Sequence, residues 1–586
     1  MDILLLAQNE QVTGWLTPVW MISVGITIGF IIALLVLGLM YVLSRISPLN
    51  RLNDNVTTRI ISGLLLTVLV LAGFIGYSIY SGMWDRMEAG RDQLLFVMFA
   101  AGTSVLVGFG LIAFMSRRRF DEILDEPRGG FARWLATICV ASALFAVIGY
   151  GLAMVNGFGY VTFVDNPNSM FNSLSRLHVH GVYPVQEITI DGNSTEELEV
   201  NFWGQELSAL RFRSDQRVDF AVMEVSAAGI EQVVEISPAR DEETFTLYRK
   251  QFEDSRFPNE FIPKLYFENQ NSGEAKVELA WALEVDNPQV SVIPQTAITV
   301  VSVFLLYWIF CALFPKIAAI ATSTFKTEVS QPVFILLAII GTIFAVGTIY
   351  LPYNTFGEDI KMYKLSGLTL IRIMGIFMAI WAASKSVAEE IEGRTALTVL
   401  SKPVGRRQFI LGKFSGIALA IGLLFILLGF WFVIWVCYKP IYDEVETSTR
   451  NFVWTNGFNE AMKTIPGLVL AYMEALVFVA ISIAISTRMG ILPNFMICFS
   501  IYILGHLTPL IVQSAEVAQV FEGVAVFGQF ISVIFPVLDH FDVEPAIIGE
   551  VDVPIRYLGW AFVYCLIYGT IAMLLSLVFF EDRDLA

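Results

Sequence analysis

The chain has 586 residues, of which 56% are hydrophobic and only 16% charged, and its mean hydropathy is +0.66. Soluble domains carry about 25% charged residues, and several runs here exceed about 18 apolar or small residues, too long for a soluble core. A soluble enzyme is therefore excluded as the whole description, and the net charge of −17 disfavours nucleic acid as a partner, because phosphate binding needs clustered Lys and Arg.

The charge is unevenly placed. Residues 155–292 hold 23 Asp/Glu and 10 Lys/Arg, a local charge of −13. An acidic, soluble insert thus sits within a near-neutral membrane protein. The five cysteines, Cys139, Cys311, Cys437, Cys498 and Cys565, all lie in or beside apolar runs, with no CxxC pair. They read as buried structural thiols.

In chain order, the first apolar run covers about 19–43. It is too long for a signal-peptide core and no small-residue cleavage site follows, so it reads as a retained span. Runs at about 59–80, 94–115 and 131–154 complete four spans before the insert. From 155 to 292 the pattern turns to short alternating segments such as VQEITIDG, LEVNFWG and VELAWALEV, separated by Gly, Asn, Pro and Asp. That predicts an antiparallel, sandwich-like β domain. A fifth span follows at 293–315, then a short amphipathic stretch, KIAAIATSTFKTEVS, expected at the interface. Runs at about 333–352, 368–388, 410–436, 464–486, 491–512 and 556–580 bring the expected total to about eleven.

The loops orient this architecture. Arg117, Arg118, Arg119, Arg128, Lys316, Lys326, Arg394, Lys402, Arg406, Arg407, Lys413, Arg488 and Arg583 all fall on one side of an eleven-span chain. The positive-inside rule makes that side cytoplasmic. The expectation is a multi-pass protein of the plasma (inner) membrane, with the N terminus and 155–292 outside and the C terminus inside.

The usual catalytic patterns are missing. In GRRQFILGK (405–413) the glycines are too far apart for a phosphate loop, and Phe414 follows Lys413 where Ser or Thr is needed. No GxSxG or HExxH occurs. His178 and His180 share a strand face, but zinc wants three or four ligands, and a surface loop is the preferred reading. Inside the spans stand Arg372, Glu474 and His506. Charges in hydrocarbon are costly, so each must face protein or a watery path. Snorkelling is the default for Arg372, and a structural hydrogen bond is slightly preferred over a transport role for Glu474. Pairing of Arg372 with Glu474 is an open alternative.

The stretch SVAEEIEGRTALTVLSKPVGRRQFILGKFSG (386–416) mixes Glu389, Glu390 and Glu392 with Arg394, Lys402, Arg406 and Arg407 around the helix-breaking Pro403. Topology alone does not call for the glutamates, and a mixed, ordered loop suggests docking onto a cytoplasmic partner. This stretch resembles the signature of permease subunits of bacterial ABC-2 type exporters, nearest the NosY-like branch associated with copper-site maturation of nitrous oxide reductase. TSTFKTEVSQPVF (322–334) is similar to that family's elbow helix. PVLDHFD (536–542) resembles its Pro-X-Leu-acidic-X-Phe segment, and the terminal EDRDL resembles its basic-Asp-Leu tail, though more acidic. The resemblance spans about 316–586.

It implies a six-span permease half that pairs with a second half, in a homodimer or a heterodimer, and with two copies of a separate cytoplasmic ABC ATPase that holds the Mg-ATP. This chain itself would carry no cofactor, metal or catalytic residue. Glu389, Glu390, Glu392, Arg394, Lys402, Pro403, Arg406 and Arg407 would form the ATPase-coupling segment. The four extra spans and the 155–292 domain are not explained by the family. That domain is expected to meet substrate or an envelope protein, or to brace the complex. The alternative reading is a non-transporting, mechanical or scaffolding ABC-like complex acting through 155–292. An intramembrane enzyme ranks third, since no Ser–His pair or di-aspartate supports it.

Overall fold

The computed structural model describes residues 14–45, 56–80, 91–114, 130–154, 164–177, 180–183, 185–203, 206–214, 218–221, 234–236, 245–248, 261–269, 272–351, 359–390, 404–447, 453–517, 535–549 and 551–581. The chain divides into two compact units, one of Met1–Asp165 with Thr296–Ala586 and one of Asn166–Gln295.

The larger unit is helical. Its N-terminal part holds α1 (Thr17–Arg45), α2 (Val56–Tyr80), α3 (Arg91–Phe114) and α4 (Phe131–Met154). Trp20 of α1 is buried and donates its indole N–H to the Ala146 carbonyl of α4 at 2.9 Å. After the insert come α6 (Val292–Leu313), α7 (Pro315–Val329), α8 (Pro332–Gly347), α9 (Asp359–Ala383), α10 (Arg406–Thr447), α11 (Trp454–Ser486), α12 (Ile491–Val517), the one-turn α13 (Glu544–Ile548) and α14 (Ile555–Glu581). Among the described residues eight helices are long and apolar enough to cross a membrane: α1, α4, α6, α8, α9, α10, α11 and α14. The other three expected spans coincide with α2, α3 and α12, whose apolar stretches are shorter, at Ile60–Gly76, Phe96–Ile112 and Ile491–Leu507.

The bundle has two chemically distinct ends. At one, α7 lies against the start of α10. Its buried positions Ala318, Ala321, Thr322, Phe325, Glu328 and Val329 recur at three- and four-residue spacing, the pattern of one helix face seated on protein. Gly412 and Gly416 of α10 make the seat. A Cβ on Gly412 would lie 2.6 Å from Ile320, and one on Gly416 would lie 2.5 Å from the Ala321 carbonyl oxygen. Small residues four apart, as in Gly412-Lys-Phe-Ser-Gly416, allow this backbone approach.

The bundle's middle is an apolar seam of α9 and α10. Gly367 faces the Phe432 ring and Gly375 the Phe425 ring, each closer than a Cβ would permit. With 42 residues, α10 is about 63 Å long, twice the hydrocarbon thickness of about 30 Å. It therefore extends beyond the bilayer. At the far end the start of α9, the last turns of α10, the start of α11 and the 535–549 segment come together.

The smaller unit begins with α5 (Pro167–Ser175), followed by β1 (Gly181–Val182), β2 (Gln186–Ile190), β3 (Ser194–Trp203), β4 (Leu207–Ser214), β5 (Val218–Ala221), β6 (Val234–Ile236), β7 (Phe245–Tyr248), β8 (Phe261–Asn269) and β9 (Ala275–Leu283). One sheet runs β1-β9-β4-β7 with β2 also on β9, and the other runs β3-β8-β5-β6. Every described pairing is antiparallel. Alternation drives the burial: β9 buries every second residue. Both sheets feed one apolar cluster, with Ile190, Leu210, Val277 and Leu279 from the first and Leu265, Phe267 and Val218 from the second. Asn193, at φ 52°, turns the chain from β2 into β3 and so from one sheet to the other. Asn269 pins the two sheets together by donating to the Ile190 carbonyl at 3.2 Å.

Gly416→Leu is expected to force α7 off α10 and to destabilise the protein by about 1–3 kcal/mol. Thermal unfolding in detergent checks this, with Leu at the neighbouring half-buried Ser415, which borders an open apolar cavity, leaving the transition unmoved.

Candidate functional site

The far end is organised around Arg372. Its α9 position is buried, at 7% exposure, so the side chain does not snorkel to the surface. Its guanidinium meets Glu544 at 2.8 Å and Asp542 at 3.5 Å. Thr369, one turn earlier, donates its hydroxyl to the Glu544 carboxylate at 3.0 Å. The expected alternative partner Glu474 is not the one hydrogen-bonded.

The segment carrying these acids is bolted down on several sides. A 3-10 turn, Leu538–Phe541, buries both its ends. Leu538 fills the space over Gly505 of α12, and Ile547 fills that over Gly467 of α11. The Val537 N–H donates to the Tyr564 hydroxyl of α14 at 2.9 Å, and the Tyr557 hydroxyl donates to the His540 carbonyl at 3.0 Å. Burial holds the carboxyls of Asp539 and Glu544 above the ordinary carboxylate range, with Arg372 opposing this at Glu544.

Behind the clasp lie Glu474 and His506. Glu474 is fully buried on α11. His506 Nε2 is 3.9 Å from Glu474 Oε1, beyond hydrogen-bond reach. Among the described residues neither Glu474 oxygen nor His506 Nε2 has a hydrogen-bond partner. Among the described residues Glu474 thus has no partner for the structural hydrogen bond slightly preferred for it. His506 Nδ1 sits 3.2 Å from the Tyr502 carbonyl.

Two further buried cations at this end escaped the reading of the sequence. Lys364, with no exposed surface, pairs with Glu460. Lys439, equally buried, meets Asp443 at 2.8 Å and Asp359 at 3.7 Å. The Lys439–Asp443 spacing of four is a sequence signal. Glu460 and Asp359 lie too far along the chain for any local pattern to show the pairing.

The other end carries the expected coupling segment. α9 ends in a π-helical turn, Ser384–Glu389, a form that often marks functional positions. Ser384 is held by Asn494 of α12, whose side-chain amide also reaches Ser482 and Ser486 of α11, each contact between 2.6 and 2.7 Å. Glu390 is tied to Lys413 of α10, which also donates to the Ser386 hydroxyl at 3.1 Å. Arg406 donates to the backbone carbonyls of Phe580 and Glu581 at 3.3 and 2.7 Å. It thereby caps the last helix where the dipole favours a cation. Arg407 is exposed. Glu392, Arg394, Lys402, Pro403 and the Glu389 side chain lie outside the described residues, as does His178.

No group of three His, Cys, Asp or Glu arranged for a metal occurs among the described residues. All five cysteines are buried, and none is in a disulfide. A cavity of about 720 Å³ opens between α6, α10 and α11, lined by apolar groups such as Leu306, Phe414, Phe425 and Leu468. Tyr472 at its wall donates to the Ala418 carbonyl.

Because burial raises the Asp539 and Glu544 carboxyls, the docked segment binds protons more tightly than the undocked chain. Its docking is strongest below the ordinary carboxylate range and weakens as pH rises through the raised values. Amide exchange of 538–548, corrected for intrinsic rates, is expected to show stronger protection near pH ~5 than at neutral pH, with a smaller difference in Asp539→Asn.

No protein-family model matches this chain, and no curated protein matches it.

Proposed function

We propose that this chain is the membrane-spanning permease subunit of an ABC-type exporter, working with a separate cytoplasmic ATPase that binds Mg-ATP. The observation that carries this reading is the elbow-end assembly. A short helix, α7, is clamped on α10 through Gly412 and Gly416. Beside it the π-turn of α9 and the start of α10 are cross-tied by Glu390 and Lys413. Together they would form a rigid lever from a cytoplasmic surface into the bundle. The motifs that resemble ABC-2 permeases fall on these parts and on the docked 535–549 segment. Eleven spans, a cytoplasmic elbow end and an exterior β-rich unit complete the proposed arrangement, with two ATPase copies and a second permease half.

Within this reading the coupling residues divide by what they touch. Glu390 and Arg406 brace the lever, Glu390 through Lys413 and Arg406, itself exposed, through the α14 carbonyls. Arg407 is exposed and free to face the ATPase surface. A second reading, a mechanical or scaffolding ABC-like complex, is favoured by one feature. Residues 166–295 form a compact unit of their own, more exterior structure than a path for substrate requires.

Reversing Arg407 to Glu is expected to reduce recovery of the ATPase on affinity purification at least several-fold while leaving thermal unfolding unchanged. Reversing Arg406 or Glu390 lowers both. Full ATPase recovery and coupling with Arg407→Glu would remove Arg407 from the interface. ATP-dependent substrate movement in vesicles supports the exporter. ATP-dependent motion of the β-rich unit without transport supports the mechanical reading.

A further inference from the structure

The Glu474–His506 contact has two hydrogen-bond acceptors facing one another. His506 Nδ1 lies 3.2 Å from the Tyr502 carbonyl oxygen. A carbonyl only accepts, so a hydrogen bond there places the hydrogen on Nδ1; with the hydrogen on Nε2 the clash of acceptors moves to the Tyr502 carbonyl, and only an added proton satisfies both contacts. In the neutral ring with Nδ1 protonated, Nε2 carries a lone pair and lies 3.9 Å from Glu474 Oε1. An ionised carboxylate is also acceptor-only. Inside a bundle of low dielectric, such a pair with nothing between it is repulsive.

The spacing narrows what can relieve this. A bridging water with two ordinary hydrogen bonds near the tetrahedral angle holds its acceptors about 4.5 Å apart, wider than the 3.9 Å found. A metal ion needs more ligands than one carboxylate and one imidazole, and no such group exists among the described residues. A single proton suffices: it turns one acceptor into a donor, and a side-chain shift of about 1 Å then makes a direct hydrogen bond.

The surrounding charges point the same way. From α9 comes Arg372. The 535–549 segment adds Asp539, His540, Asp542 and Glu544, and the Tyr502 phenol of α12 faces the cluster. One guanidinium thus stands against the carboxylates of Glu474, Asp542 and Glu544, which leaves an excess of negative charge that a proton on the pair reduces.

We infer that Glu474 and His506 together bind one exchangeable proton within the membrane bundle, shared between Glu474 Oε1 and His506 Nε2. The proton comes from water and returns to it, and no covalent bond other than O–H or N–H changes. The 535–549 segment, held by Arg372, packs beside the pair through Leu538 on Gly505 of α12. The inference stands apart from the exporter reading, because a proton site needs neither an ATPase nor a substrate.

Infrared difference spectroscopy on the full chain in lipid nanodiscs, titrated across pH in H₂O and in D₂O, tests it. The expected result is one titration step in which Glu474 carboxyl and His506 ring bands change together. Glu474→Gln abolishes that step, and His506→Asn displaces it by at least about one pH unit, as coupled sites require. The Gln amide keeps the shape of a protonated carboxyl and donates to Nε2, so this variant is expected to fold. Its proton uptake, followed with a pH indicator, falls by one per chain. Identical titrations of wild type and Glu474→Gln would overturn the proposal. So would a Glu474 band indifferent to His506→Asn, or a step assigned to water bands alone.

Discussion

Four cations, Lys364, Arg372, Lys413 and Lys439, are sunk into the helical unit, each below a tenth exposed, and each must be met there by a carboxylate. Removing one partner from such a pair costs about 3–5 kcal/mol, because the other charge is left buried and uncompensated. The acids come from distant chain segments: Glu460 from the start of α11, Asp359 from the start of α9, Asp542 and Glu544 from the 535–549 segment, and Glu390 from the turn after α9. Apolar helices in lipid slide and rotate at little cost, since hydrocarbon is as good a neighbour as leucine. These ion pairs fix the register that hydrophobicity leaves loose.

The Lys364 and Lys439 pairs lie at one end of the α9–α10 seam and the Glu390–Lys413 pair at the other. Between them Gly367 and Gly375 pack closely on Phe432 and Phe425, and Arg372, on α9 between those two glycines, reaches Asp542 and Glu544. One end is tied to α7 and to the last turn of α14, the other to the docked 535–549 segment. The π-turn continues α9 directly, so it and Arg372 of the clasp lie on one continuous helical segment. Glu474 and His506 sit beside that clasp, where opening and closing would be felt.

Much of this was legible in the sequence. Hydropathy alone locates the eight long apolar helices, because a span is a property of consecutive residues. Alternation locates the β-rich unit for the same reason, and the Gly412–Gly416 spacing signals a close helix contact without naming α7 as the partner. The pairings were not legible. Arg372 and Glu474 stand out as charges in hydrocarbon, yet the partner of Arg372 lies in the 535–549 segment, and nothing local distinguishes Glu544 from an ordinary loop acid. Lys364 and Lys439 lie near span ends, where a lysine reads as an interfacial anchor. Arg406 reads as a docking residue until Phe580 and Glu581, 174 and 175 residues away, are found against it. Which helix turns which face to which neighbour is a tertiary fact, and it decides the chemistry of each of these side chains.

The dependence of the far end on buried ion pairing is tested most directly by a double-mutant cycle on Arg372 and Glu544. Unfolding free energies would be measured for wild type, Arg372→Met, Glu544→Gln and the double variant. If the clasp organises this end, each single change is severe and the double change is far less than their sum, with a coupling of about 2 kcal/mol or more. Additivity within about 0.5 kcal/mol would mean that the two side chains act independently, and would contradict the account.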